Sequence, residues 1–396
     1  RQQKERGAYY TNAQLCRFMV EKTVKPMFDA RREELRAAIK TKDAARAQQA
    51  LRQIVGMRIC DPTMGSAPFL RSAFDFLSEQ YSALVETLAP ARDTLPDVWT
   101  QWRREFPFLT DYTLPDEQGA GKWEWHILRR MLYGVDIDRK AVCIASQTFA
   151  LSSLRYLPEG ERFPSFFNVN LKLGNALINP IRPSEYEALS KKHRAALGEA
   201  VKLRHVAATT SDYQKLNDAL ARVENLIRPI ADGLITERLE SIAGDYTSEI
   251  APFCWELEFP EIFFDENGNA RRDAGFDVMI GNPPWDEIMV EKDKEAKELG
   301  FESVKDFENS LKKDKLLQSK WNDYNGIKQA WKDLAASDLF KYQKGGRHHN
   351  YWRMTIEVCH GLSTAQAYNA LVIPSGIIAD DNGRAVRQLI ISTAEL

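Results

Sequence analysis

The chain has 396 residues, 44% of them hydrophobic and 28% charged, which excludes a disordered or collagen-like polymer and supplies enough apolar material for a sizeable interior. A single compact core stops growing below this length, so one large elaborated domain or two domains are expected. Lys plus Arg number 54 against 56 Asp plus Glu, a net charge of −2, so global charge points to neither nucleic acid nor an acidic membrane, and any such partner has to be read locally.

Thr11-Asn12-Ala13-Gln14 fits a capping box before Leu15, Phe18 and Met19, which predicts a helix running toward Pro26, and a second, charged helix is predicted at about 31–53. Met57 to Cys60 reads as a short buried strand that ends in the turn Asp61-Pro62-Thr63-Met64-Gly65-Ser66. Phe69, Leu70, Ala73, Phe74 and Leu77 then recur at helical spacing. A second strand, Met131 to Val135, ends at Asp136-Ile137-Asp138 and leads into a helical pattern from Ala141 to Leu151. Leu171 to Leu173, Phe276 to Ile280 and Ala370 to Pro374 read as the third, fourth and fifth strands. Strands separated by helices predict an α/β fold, a doubly wound and mostly parallel sheet whose ligands sit outside the carboxyl ends of the strands.

Large helical insertions are expected at about 83–125, 182–248 and 286–350. The middle one carries Leu216, Leu220, Val223, Ile227 and Ile230 in a heptad-like stripe, read as a helical hairpin packed on the core in preference to a partner-binding coiled coil. The division that follows is an N-terminal helical segment (1–55), a first half of the core (56–181), a helical insertion (182–250), a motif-bearing part of the core (251–285), a basic and aromatic insertion (286–353) and a C-terminal part of the core (354–396). The five cysteines, Cys16, Cys60, Cys143, Cys254 and Cys359, lie far apart with no C-x-x-C pair, which argues against a disulfide framework or a zinc site and for a reducing cytoplasm. No run reaches the ~18 apolar residues of a membrane span, and the first residues lack a signal-peptide core. Because the chain starts at Arg1 and stops just after an amphipathic run, it reads as a piece of something longer.

Small residues after the first strand let a ligand approach the backbone, and the following helix start offers free N–H groups, so this turn reads as a cofactor seat. It lacks G-x-G-x-x-G, which argues against a nicotinamide dehydrogenase. Asp136, at the second strand end, can accept hydrogen bonds from both vicinal hydroxyls of a ribose, whereas Asp138 suits a helix N-cap. In Gly281-Asn282-Pro283-Pro284-Trp285, two prolines hold the backbone extended and remove N–H donors, leaving carbonyls and the Asn282 amide beside a large aromatic face. Such an elbow recognises a planar group bearing an NH₂.

Gly7-Ala8-Tyr9-Tyr10-Thr11, Asp61 to Ser66, Tyr133-Gly134-Val135-Asp136, Gly174-Asn175 and Gly281 to Trp285 occur in the order found in gamma-group S-adenosylmethionine-dependent DNA adenine-N6 methyltransferases, which the chain resembles. Phe253-Cys254-Trp255-Glu256 and Phe259-Pro260-Glu261-Ile262-Phe263 are similar to the large-methylase branch, which includes restriction-modification and phage-defence enzymes. The resemblance implies a class I, Rossmann-like methyltransferase core. It implies that Tyr10 and Thr11 hold the methionine end of S-adenosylmethionine, that Asp61, Thr63 and Gly65, with Pro62 and Ser66, line the cofactor seat, that Asp136 with Ile137 binds the ribose side, and that Asn175 with Ala176 faces the adenine. It further implies that Asn282, Pro283, Pro284 and Trp285 are catalytic, with no metal. Two positions depart from the family pattern: Ala67 stands where glycine is frequent, and Asn175 where Asp is.

The implied reaction is methyl transfer to the N6 amine of a flipped-out adenine in double-stranded DNA, with Trp285 as stacking platform. For the DNA backbone the sequence offers residues 310–353, where Lys312, Lys313, Lys315, Lys320, Lys328, Lys332, Lys341, Lys344, Arg347 and Arg353 outnumber four aspartates and Trp321, Tyr324, Trp331, Tyr342, Tyr351 and Trp352 are interleaved. Alternatives are N4-cytosine DNA methylation, modification of a protein glutamine amide, or a non-catalytic cofactor-binding scaffold among other defence-system subunits. In this family target recognition usually follows the catalytic part, so the chain alone is expected to bind DNA weakly and without strong sequence preference.

Overall fold

The computed structural model describes residues 11–109, 117–155, 166, 168–343, 348–379 and 381–393. Three helices open it: α1 (Ala13–Lys22), α2 (Val24–Lys40) and α3 (Ala44–Val55). Asn12, rather than Thr11, caps α1 by accepting the Gln14 N–H at 2.8 Å. The charged helix expected at 31–53 is two helices, because Lys42 turns left-handed (φ 56°) and Asp43 caps a new start.

The core then runs β1 (Ile59–Asp61), α4 (Pro68–Glu79), the short helices α5 (Tyr81–Leu88), α6 (Ala91–Thr94) and α7 (Pro96–Glu105), α8 (Glu117–Arg130), β2 (Leu132–Asp136), α9 (Arg139–Ser152) and β3 (Leu171–Leu173). Two long helices follow, α10 (Tyr186–Thr209) and α11 (Tyr213–Arg238), then the short α12 (Glu240–Ala243), α13 (Thr247–Ile250), α14 (Trp255–Glu258) and α15 (Pro260–Phe263) before β4 (Phe276–Gly281). Beyond β4 lie α16 (Lys292–Glu298), α17 (Val304–Leu311), α18 (Lys315–Ala336), α19 (Tyr351–Leu362), β5 (Ser363–Leu371) and α20 (Arg384–Thr393).

Among the described residues the five strands form one parallel sheet in the order β3-β2-β1-β4-β5. The chain builds outward from β1 in one direction and then returns to add β4 on the other side. The crevice between the carboxyl ends of β1 and β4 is therefore the point where ligands bind in open α/β sheets.

Alternation along the strands feeds two cores. Ile59, Leu132, Val278 and Ile280 point to one face, against Phe28, Leu70, Phe74 and Phe149 from the flanking helices. Cys60, Tyr133 and Met279 point to the other, joined by Phe276 across an irregularity of β4 between Phe276 and Val278, and there Phe253, Trp255, Phe259 and Phe263 pack edge-on against them and one another. The two aromatic segments at 253–263 thus brace the sheet. Arg204 of α10 reaches under them to Glu261 at 2.7 Å. The stripe Leu216, Val223, Ile227 and Ile230 on α11 is buried in this second core, against α10.

The fifth strand starts seven residues earlier than its apolar run suggests. Its residues are half-buried or exposed throughout, none fully buried, because β4 is its only described neighbour. No helix of the described residues is long and apolar enough to cross a membrane.

Candidate active site

Asp61 closes β1 and is completely buried. One oxygen, Oδ1, accepts the Thr63 N–H at 3.0 Å, which forms the turn, while Oδ2 has no partner. Burial pushes this carboxyl well above the usual carboxylate range, with the nearby Asp136 charge acting in the same sense and the Thr63 N–H against it. Gly65 takes the left-handed conformation (φ 54°), and the space where a side chain would stand is clear to 4 Å. Ala67 is also left-handed (φ 64°) as it turns into α4 at Pro68, so the alanine tightens this turn at the expense of backbone strain.

Asp136 ties the second strand end to the same turn. Its Oδ2 accepts the Gly65 N–H at 2.8 Å and its Oδ1 accepts the Asp138 N–H at 2.7 Å. Burial raises its pKa, opposed by these donors. Asp138 caps α9 through the Lys140 N–H. Ile137, between the two acids, is 62% exposed, an apolar side chain left at the open end of β2. No described cation forms an ion pair with Asp61 or Asp136.

On the other side of β1, Gly281 closes β4. A β-carbon built there would stand 2.7 Å from Asp61 Oδ1 and 3.3 Å from Thr63 Oγ1. The elbow Asn282 to Trp285 therefore begins in direct contact with the first turn. Asn282 Oδ1 is shut off from water with no hydrogen-bond partner, as is Thr63 Oγ1. Pro283 is buried and Pro284 partly so. Trp285 is 41% exposed, and its indole N–H donates to the Val372 carbonyl at 3.0 Å just beyond β5, which fixes the ring at the mouth of the crevice rather than in the core. The elbow leaves through Ile288, whose N–H donates to the His349 carbonyl at 2.7 Å.

Asn175 has both ends of its side-chain amide engaged within the protein. It is buried, its amide donates to the Ile250 carbonyl at 2.7 Å, and its oxygen accepts the Leu177 N–H at 3.3 Å, so it pins the chain after α13 to the end of β3. Ala176 is buried next to it and accepts the Trp255 indole N–H at 2.9 Å. Tyr10 lies outside the described residues. Thr11 precedes the Asn12 cap of α1, and Cys16 on the same helix feels the Asp61 charge, after burial the second cause of its thiol rising to about 11.

Part of the basic, aromatic segment is interior. Trp331, Trp352 and Arg353 are buried, and Trp331 meets Tyr351 edge-on. The periodicity of α18 and α19 turns these residues inward. Lys312, Lys313, Lys315 and Lys320 are exposed, and Trp321 stacks on Tyr324 at 5.5 Å beside them. Lys344 and Arg347 lie outside the described residues.

Two residues with a part in this geometry were not among the expected site residues. Gly281 is needed for the close approach to Asp61, and a glycine closing a buried strand directly before the Asn-Pro-Pro run was the available sign. Val372 acts through its carbonyl, which a sequence does not display.

Residues 130–318 match the family of the Eco57I restriction-modification methylase. That span runs from the end of α8 through β2, β3, the aromatic brace and β4 to the first turn of α18, and includes Asp136 and the Asn282 elbow. A protein of Methanocaldococcus jannaschii, named as a type II restriction enzyme and methyltransferase, is 23% identical over 376 residues, covering 74% of this chain. The chain spans 29% of that relative's length.

Proposed function

We propose that the chain is the methyltransferase part of a restriction-modification enzyme, carrying a methyl group from S-adenosylmethionine to the N6 amine of an adenine turned out of double-stranded DNA. One observation carries this reading: Asp61 Oδ2, Thr63 Oγ1 and Asn282 Oδ1 are buried polar atoms without partners, gathered where β1 and β4 end. Leaving such groups unpaired costs roughly 1–3 kcal/mol each, so a ligand that satisfies them gains correspondingly.

The residues suit S-adenosylmethionine. Asp61 and Asp136 carry no ion-pair partner among the described residues, burial disfavours their charged forms, and a ligand bearing positive charge would offset that penalty. Asp136 keeps lone pairs for vicinal hydroxyls, the clear space over Gly65 admits a close backbone approach, and the exposed Ile137 offers an apolar surface. The bound cofactor supplies an electrophilic methyl group on a positively charged sulfur. Asn175, with both ends of its amide engaged, serves as a positioning residue for the loop after β3.

Asn282 Oδ1 and the Pro283 carbonyl accept the two N6 hydrogens. This draws a conjugated amine toward tetrahedral geometry and stabilises the positive charge that develops on nitrogen, an electrostatic and positioning effect. Because Oδ1 is unpaired, the incoming amine displaces no existing bond. Trp285 offers its ring face to the extruded base, worth ~1–3 kcal/mol of stacking against the cost of unpairing. The exposed lysines at 312–320 lie within the segment expected to meet phosphates. The test is transfer of labelled methyl to duplex DNA with identification of the modified base: N6-methyladenine supports the reading, N4-methylcytosine redirects it, and cofactor binding without transfer to any nucleic acid removes it.

A further inference from the structure

At the opposite end of the sheet, where the strands begin, lies a second cavity of about 220 Å³ between the ends of α3, α8 and α10. Six arginines line it, Arg52, Arg58, Arg129, Arg130, Arg204 and Arg271. Helix carbonyl ends converge at this side of an α/β sheet and favour cations, which accounts for some of them. Arg204 is closed on Glu261 and the Val169 carbonyl, and Arg58 on the carbonyls of Asp273 and Gly275 and the Asp273 carboxylate, which Arg271 shares. Arg52 reaches Glu105 at 3.4 Å from an exposed position at the rim. Six guanidinium groups thus have three carboxylates among them.

Two arginines have no hydrogen bond to an acid: Glu105 and Glu261 act on Arg130 through charge alone, and no acid acts on Arg129. Arg129 is 2% exposed, lies over the Trp125 ring at 4.5 Å and gives Nη1 to the Ala207 carbonyl, but its Nε is buried with no partner. The guanidinium of Arg130 is bonded to no described residue. Burial lowers the basicity of Arg58, Arg129 and Arg130, Arg129 to about 10, and neighbouring arginines add to the effect at Arg58 and Arg129. His126 in the same wall is held at about 4 by burial and Arg130, so it stays neutral, donating to the Val55 carbonyl at 2.7 Å. The wall is therefore positive beyond what its own acids and carbonyls neutralise.

We propose that this cavity is a binding site for a phosphate-type oxyanion, with Arg130 as the principal donor and Arg129 and Arg52 beside it. Planar forked donors match the geometry of a phosphate group, and buried ones bind it more strongly than exposed lysines do. The cavity holds a phosphate or pyrophosphate group but is too small for a duplex, so the ligand is a free oxyanion or the phosphate tail of a nucleotide. It opens at the end of the sheet away from Asn282, so its occupation leaves methyl transfer unobstructed and stabilises the fold by supplying the missing counter-charge.

The test is calorimetric titration of the whole chain at low ionic strength with inorganic phosphate, pyrophosphate and ATP. Saturable binding of at least one is expected, weakened by ~10-fold or more in Arg130→Gln, partly restored in Arg130→Lys, and accompanied by a rise in melting temperature in the parent that Arg130→Gln lacks. Tighter binding of ATP than of pyrophosphate assigns the site to a nucleotide tail, and the reverse to a free oxyanion. Should Arg130→Gln fail to fold, the rim variant Arg52→Gln is read by the same loss of affinity. The proposal is overturned if none of the three anions binds saturably, if the folded variants bind as the parent does, or if duplex DNA displaces pyrophosphate and binds more tightly than all three.

Discussion

Gly281 and Asp61 close neighbouring strands so tightly that a methyl group on the glycine would stand 2.7 Å from the aspartate's Oδ1. This approach sets the elbow at 282–285 against the turn at 61–66, and it holds only while residue 281 has no side chain. Gly281→Ala is expected to force a shift costing ~1–3 kcal/mol, since the atoms it meets belong to a fully buried carboxylate and a short hydroxyl rather than to the end of a flexible chain. A lower midpoint in thermal denaturation together with weakened binding of S-adenosylmethionine in calorimetry is the expected pair of results. An alanine variant that melts and binds like the parent would show that the contact is not needed.

Trp285 makes a prediction of the opposite kind. It is 41% exposed at the crevice mouth, where its indole N–H donates to the Val372 carbonyl, so Trp285→Ala should cost the fold less than truncating a core tryptophan, ~0.5–1.5 kcal/mol. Its loss should instead lower kcat/KM for methyl transfer to DNA by roughly 10- to 100-fold, the value of one stacked base. Trp285→Phe, which keeps an aromatic face, should recover part of that loss. Large destabilisation with unchanged kinetics would return Trp285 to a packing role.

The strands β1 to β4 are legible in the sequence because each carries apolar residues up to a small or acidic one at or just past its end. β5 is not, since Ser363 to Leu371 is half-exposed and mixes Ser, Thr, Gln and Asn with its apolar residues, while the apolar run at 371–373 falls at its end. The positions of Asp61, Gly65, Asp136 and Asn282 follow from placing motifs at strand ends. The tasks of Asn175 and Trp331 do not: one spends its amide on a carbonyl 75 residues away, and the other is turned inward by a helix whose buried side only the tertiary packing defines.

Glu256 offers a test of the fold's electrostatics away from the crevice. It is fully buried, takes two hydrogen bonds from the Asn179 amide, and burial raises it from about 4.5 to about 7, opposed by the neighbouring Tyr186 and Asn179. Below the ordinary carboxylate range both folded and unfolded chains hold the proton and the group contributes nothing to the pH dependence. As pH rises toward 7 the unfolded chain releases a proton that the folded chain retains, and stability falls by an amount on the order of 3 kcal/mol. Glu256→Gln should therefore match the parent near pH 4 and exceed it above pH 7, measured as urea midpoints across that range. Parallel curves for the two proteins would contradict this.

Asn282 holds the acceptor on which methyl transfer depends. Its Oδ1 is a buried acceptor with no partner, so Asn282→Ala should leave the melting temperature unchanged or raise it, while removing ~10²-fold or more of the methyl transfer. The measurement is incorporation of labelled methyl from S-adenosylmethionine into duplex DNA by parent and variant, with the modified base identified and cofactor affinity determined in parallel. N6-methyladenine is expected from the parent, together with a folded, cofactor-binding variant that has lost the product. A variant that still methylates adenine at the parent's rate would contradict it.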